Sequence, residues 1–89
     1  MFMNPIISKS ARWNSFNGDL VVLNTDTGRC FNLNRTGILL WNALVDGKQE
    51  SALHEILCRE YVIEAETSRQ HISEFLRKLE LLGLLLPGV

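Results

Sequence analysis

Leu20-Val21-Val22-Leu23 sets four apolar residues in succession between two turn signals, Asn17-Gly18-Asp19 before it and Thr25-Asp26-Thr27-Gly28 after it. An apolar run this short between turns reads as a strand, and apolar side chains at consecutive positions need cover on both faces or a central place in a sheet. Strands must therefore flank it. Residues 11–16, with Trp13 and Phe16 as bulky anchors, supply one neighbour. Residues 29–33 supply the other, with Phe31 and Leu33 on one face. Gly28 suits the positive φ of the intervening hairpin turn. Residues 6–8 form a further short β-type run. A three-stranded meander puts the middle strand at its centre and leaves residues 29–33 at an edge.

Beyond residue 33 the apolar spacing changes from two to three and four. Asn34 is placed as the N-cap of a helix over 35–45, with Ile38, Trp41, Leu44 and Val45 on one side and Asp46-Gly47 as the stop. A second helix spans about 49–61 and buries Leu53, Ile56, Leu57 and Tyr61. The third begins between Ala65 and Ser68, where Thr67-x-x-Gln70 reads as a capping box, with a start one turn earlier left open. Ile72, Phe75, Leu76, Leu79 and Leu82 form its stripe and Gly83 ends it. Residues 84–86 then extend and pack back onto the domain. Gly37 lies inside the first helix, where glycine costs about 1 kcal/mol against alanine, so it marks close packing of that helix on the sheet. The expected fold is α+β and winged helix-turn-helix-like, a three-stranded antiparallel sheet followed by three helices in one domain over 1–89.

Composition narrows the function. Nine Lys and Arg against ten Asp and Glu give a net charge of −1, without the cationic excess that carries phosphate binding. On the third helix Arg69, Arg77 and Lys78 are offset by Glu66, Glu74 and Glu80, so nucleic acid is not the expected partner. Cys30 and Cys58 are the two cysteines, too few for a disulfide scaffold and not in a Cys-x-x-Cys pair. Apolar stretches fall short of the ~18–20 residues of a membrane span, and Gly83 and Pro87 break the greasiest one. The start, MFMNPIISKSARW, has no targeting pattern. The expectation is a reduced, cytoplasmic protein that uses neither metal nor cofactor. His54 and Cys58 are one helical turn apart, but a zinc site needs further ligands. No Cys, His and acid are spaced for nucleophilic catalysis, so no enzymatic activity is expected.

What remains is the edge at residues 29–33. Arg29 stands at its start, and Cys30, Phe31, Asn32 and Leu33 carry neither charge nor proline. An unprotected edge is a liability unless it is used, and addition of an extended peptide as a further strand is one such use. The third helix supplies the other wall of a groove. With Ile72 and Leu79 at the middle of its stripe, Leu76, Arg69, Ser73 and Glu80 fan along one flank, and Leu82, His71 and Lys78 along the other. The spacing does not decide which flank faces the third strand, but the Leu76 flank offers both an apolar floor and polar rims and is the one favoured.

The segment Val21-Val22-Leu23-Asn24, then Gly28-Arg29-Cys30-Phe31-Asn32-Leu33-Asn34-x-Thr36-Gly37, then Leu40-Trp41 and Asp46-Gly47, and the closing Phe75-Leu76-x-x-Leu79 with Gly83-Leu84-Leu85, resembles the PqqD-like family. These are the precursor-peptide recognition elements of ribosomally made, post-translationally modified peptides. The resemblance covers about residues 16–86. It implies the same fold and an adaptor activity, in which the leader segment of a precursor lies as an added strand on the third strand against the third helix. The residues it implicates are Arg29, Cys30, Phe31, Asn32 and Leu33, with the facing side of the third helix, here Arg69, Ile72, Ser73, Leu76 and Glu80. Residues 24–31 lack the Pro-Glu of the pyrroloquinoline quinone members. The chain is in this respect more similar to the stand-alone leader-binding proteins of lasso-peptide biosynthesis, which work beside a separate leader peptidase and a cyclase. A chaperone of the quinone precursor and, in another class, a winged-helix nucleic-acid binder stay open as alternatives.

Overall fold

The computed structural model describes residues 5–61 and 63–86. The segment 1–4, part of the start read above as lacking a targeting pattern, and Pro87, read as a chain breaker, lie outside the described residues. The elements run β1 (Ile6–Ile7), β2 (Ala11–Phe16), β3 (Asp19–Asn24), β4 (Cys30–Leu33), α1 (Arg35–Val45), α2 (Glu50–Glu60), α3 (Ala65–Leu81) and β5 (Leu85–Leu86). β2, β3 and β4 form an antiparallel sheet in that order, so the Leu-Val-Val-Leu strand is central and β4 is an edge. Leu23 pairs with Arg12 and Cys30, and Val22 with Trp13 and Phe31. The β2–β3 turn is Asn17-Gly18, both at positive φ (52° and 84°), the two-residue connection whose twist matches that of the strands.

The extended tail packs back as expected: β5 pairs antiparallel with β1, Ile6 opposite Leu86 and Ile7 opposite Leu85. Leu20, Val22 and Leu33 turn inward from the sheet. Leu40, Trp41 and Leu44 of α1 meet them, with Leu53 and Leu57 of α2, Ile72, Leu76 and Leu79 of α3, and Leu84 and Leu85 completing one core. Each fully buried leucine contributes about 1.5–3 kcal/mol by leaving water. Among the described residues no helix is long and apolar enough to cross a membrane.

Asn34 caps α1, its side-chain oxygen accepting from the Gly37 N–H at 3.0 Å. Gly47 at φ 82° and Gly83 at φ 71° follow the ends of α1 and α3 as the sequence implies.

Several expectations are corrected. Trp13 is 41% and Phe16 68% exposed, because β2 is the other sheet edge and only Ala11 on it is buried. Val45 is exposed, and Leu40 takes its place in the core. The α1 stripe is thus centred on Leu40, Trp41 and Leu44. The capping box at Thr67 does not form. α3 starts at Ala65, the early end of the expected range, with Glu64 at the N-cap and no side-chain cap, and Ser68 is buried within its first turns.

Candidate functional site

The hydrogen-bond phase of β4 decides what its open edge offers. At the β3–β4 turn the Gly28 N–H donates to the Asn24 carbonyl at 2.8 Å, and the Asn24 N–H to the Arg29 carbonyl at 2.9 Å. Gly28, at φ 76°, is the left-handed residue of a bulge that sets two residues opposite one. From there the antiparallel ladder alternates. Phe31 and Leu33 exchange hydrogen bonds with Val22 and Leu20, their register partners. Cys30 and Asn32 therefore turn their N–H and C=O groups away from the sheet. Side chains alternate with the same period. Leu33 is buried, Phe31 is half-buried against the core, and Cys30 and Asn32 are exposed on the outer face.

α3 packs on α2 and β5 and leaves a groove of about 410 Å³ between itself and β4. Its floor is apolar, from Phe31, Leu33, Leu40 and Phe75. Asn34, Thr36 and Gly37 close the end where α1 begins, and His71, Glu74 and Lys78 line the α3 wall. The Lys78 ammonium lies over the Phe31 ring, 5.3 Å from its centroid, a cation–π contact that bridges helix and strand. Gly37 has the role the sequence suggests. A Cβ there would stand 3.1 Å from Leu33 Cδ2 and 3.3 Å from Leu33 Cβ, so glycine lets α1 settle directly on β4. Thr36 also donates its hydroxyl to Tyr61 at 3.3 Å, tying the α1 end of the groove to the end of α2.

Of the two flanks the sequence leaves open, the groove lies on that of His71 and Lys78, and the favoured Leu76 flank does not line it. Ile72 and Leu76 are completely buried core residues. Ser73 is exposed and does not line the groove. Arg69 borders a small depression with His54, Cys58, Ala65 and Ser68. Glu80 lies in another depression with Arg29 and residues 81–83, past the end of the groove. The reason is helical phase. Ser68, Ile72, Leu76 and Leu79 are all buried, so Leu76 sits at the middle of the stripe and not on its flank. His71, Phe75 and Lys78 share the next face, a three- and four-residue spacing that was present in the sequence.

His54 and Cys58 do not gather partners for a metal. The His54 Nδ1 lies 3.4 Å from the Ser68 hydroxyl and Cys58 is exposed. Among the described residues no cluster of ligating side chains suited to a metal forms.

The family model described as Coenzyme PQQ synthesis protein D (PqqD) matches residues 19–85, from the start of β3 to β5. The chain belongs to the PqqD family. The matched span of this PqqD-family chain includes β4, the groove and the whole of α3. A comparison with curated protein sequences finds no match. Among solved structures, the chain is similar to TbiB1 in complex with the TbiA(beta) leader peptide, with a TM-score of 0.87 and 27% identity over 94% of this chain and 98% of that one. It shares its fold with a lasso peptide synthetase B1 complexed with the leader peptide, at a TM-score of 0.86 and 23% identity, covering 94% of this chain and 99% of that one.

Proposed function

We propose that this protein binds the leader segment of a ribosomally synthesised precursor peptide and presents it to a separate modifying enzyme, in lasso-peptide biosynthesis. The leader adds as a strand to β4, taking main-chain hydrogen bonds from Cys30 and Asn32. It lays alternate side chains into the groove over Phe31, Leu33, Leu40 and Phe75. The observation that carries this reading is the open β4 edge directly beside an apolar groove. The similarity to a TbiB1 structure that holds a leader peptide supports it. Main-chain bonds give affinity, and the pockets give selectivity. Ordering a disordered leader opposes binding, so an affinity near micromolar, about −8 to −9 kcal/mol, is expected.

The role needs no catalytic group, metal or cofactor: the chain acts as an adaptor in the cytoplasm, and a leader peptidase or another peptide-modifying enzyme performs the chemistry. The family description favours a second reading, in which the precursor of pyrroloquinoline quinone is the bound peptide.

Fluorescence anisotropy of labelled leader peptides, encoded by short reading frames beside the gene, tests both readings. Saturable binding of one leader, little affected by moderate salt and abolished in a folded Cys30→Pro variant, is the expected result, and the leader that binds names the pathway. Binding of DNA that collapses with added salt would favour a nucleic-acid partner instead.

A further inference from the structure

The wall of the groove carries charge in a fixed order. Glu74 and Lys78 stand one helical turn apart on α3, both exposed and both lining the groove. The contact with the Phe31 ring holds the Lys78 ammonium across the groove. Among the described residues neither Glu74 nor Lys78 has an ion-pair partner. Each is therefore open to a charge brought by an occupant.

The spacing matches a strand. Four residues of helix advance about 6 Å, and two residues of strand advance about 6.6–6.8 Å. Groups one turn apart on α3 thus face alternate residues of a strand lying beside the helix, and alternate residues point the same way. Direction follows from the register. Arg29 shares a depression with residues 80–83 and Phe31 lies beneath Lys78, so β4 runs opposite to α3. An added strand is taken antiparallel to β4, the pairing found throughout this sheet and the more stable one per residue; it then runs along α3 in the same sense and meets Glu74 before Lys78.

We infer that Glu74 and Lys78 select the charge of alternate residues in the added strand, a basic side chain opposite Glu74 followed two places later by an acidic one opposite Lys78. This rests on the peptide-binding reading above and adds to it the chemistry by which one precursor is told from another. The main-chain bonds of Cys30 and Asn32 are indifferent to sequence, and the apolar floor accepts many apolar side chains. An exposed ion pair adds little affinity, whereas a like-charge mismatch works against binding and so discriminates.

The test uses random peptides of about twelve residues, long enough to cross the groove as a strand, displayed on phage and selected against the full-length protein and its Lys78→Glu variant. The wild-type pool is expected to enrich a basic residue followed two places later by an acidic one. The variant pool is expected to replace that acidic residue with Lys or Arg. A wild-type-selected peptide should bind Lys78→Glu roughly tenfold more weakly, and exchange of its acidic residue for Lys should restore the loss. Lys78→Gln should fall between the two. Pools with the same charge at that position on both proteins overturn the inference and leave peptide binding standing. If neither protein enriches any peptide while circular dichroism shows both folded, the peptide-binding reading falls and the charge selection falls with it.

Discussion

The side-chain amide of Asn24 donates to the carbonyl oxygen of Leu82 at 2.8 Å, joining the end of β3 to the residue that follows α3. The other half of the same amide accepts from the N–H groups of Asp26 and Thr27, at 2.9 and 3.3 Å. One buried side chain thus shapes the turn that leads into β4 and fixes the end of the helix that faces β4.

Asn24→Ala leaves the Leu82 carbonyl and the turn N–H groups without these partners, each worth about 1–3 kcal/mol where water does not reach. A loss of about 2–3 kcal/mol is expected, read as a lower urea midpoint. Gly83→Ala attacks the same corner from the other side. Its φ is 71°, and a Cβ there would stand 2.7 Å from the Asn24 side-chain nitrogen, so it should also destabilise, by about 1–2 kcal/mol.

The ladder phase makes Phe31→Pro and Asn32→Pro opposite experiments. Asn32 directs its N–H to the open edge, where proline is tolerated. The folded Asn32→Pro variant should lose leader binding by at least about tenfold. Phe31→Pro removes a donor to β3 and should unfold the domain or lower its melting temperature sharply. Circular dichroism and anisotropy on both variants check this, and the reverse pattern would place the edge one residue out of phase.

Phe75→Ala and Leu76→Ala separate groove from core. Leu76 is fully buried, so its truncation should cost about 2–5 kcal/mol of stability. Phe75 is only partly buried and lines the groove. Phe75→Ala should weaken peptide binding more than it weakens the fold, a split that denaturant titration and anisotropy resolve together.

Trp13 and Trp41 cross edge to face, with ring centroids 5.2 Å apart and planes at 78°. Trp41 is fully buried and among the described residues its indole N–H has no hydrogen-bond partner, whereas Trp13 is partly in solvent. Such pairs add about 0.5–1.5 kcal/mol beyond burial. Trp13→Ala should therefore destabilise by about 1–2 kcal/mol and leave a single emission band from Trp41, blue-shifted in the folded protein and red-shifted on unfolding.

The order of elements was legible because the apolar period changes once, at Asn34, and because asparagine and glycine punctuate the turns on either side of β3. The α1 bounds followed from Asn34 and Asp46-Gly47, both of which act as the residue types suggest. Less legible was how far each apolar residue is buried. Trp13 and Phe16 read as anchors, but nothing in residues 11–16 reveals that β2 is a sheet edge whose residues beyond Ala11 stay exposed. The choice between the two flanks of α3 was hidden for a similar reason. A buried serine, Ser68, does not register as part of an apolar stripe, yet it shifts the centre of the α3 stripe toward Leu76. That shift brings His71, Phe75 and Lys78 round to β4. The groove is a tertiary property, set by how α2 and β5 hold α3, and local spacing alone could not choose between the two flanks.

Cys30 and Asn32 are the two residues of β4 whose peptide groups point outward, so the strand shows the solvent only two donors and two acceptors. An edge this short makes a poor template for a second copy of itself, since so brief a ladder does not offset the cost of ordering two chains. Brevity of this kind blunts an edge against pairing with further strands. It also makes any lasting occupant depend on side chains seated in the groove, so protection of the edge and selectivity have a common origin in the length of one strand.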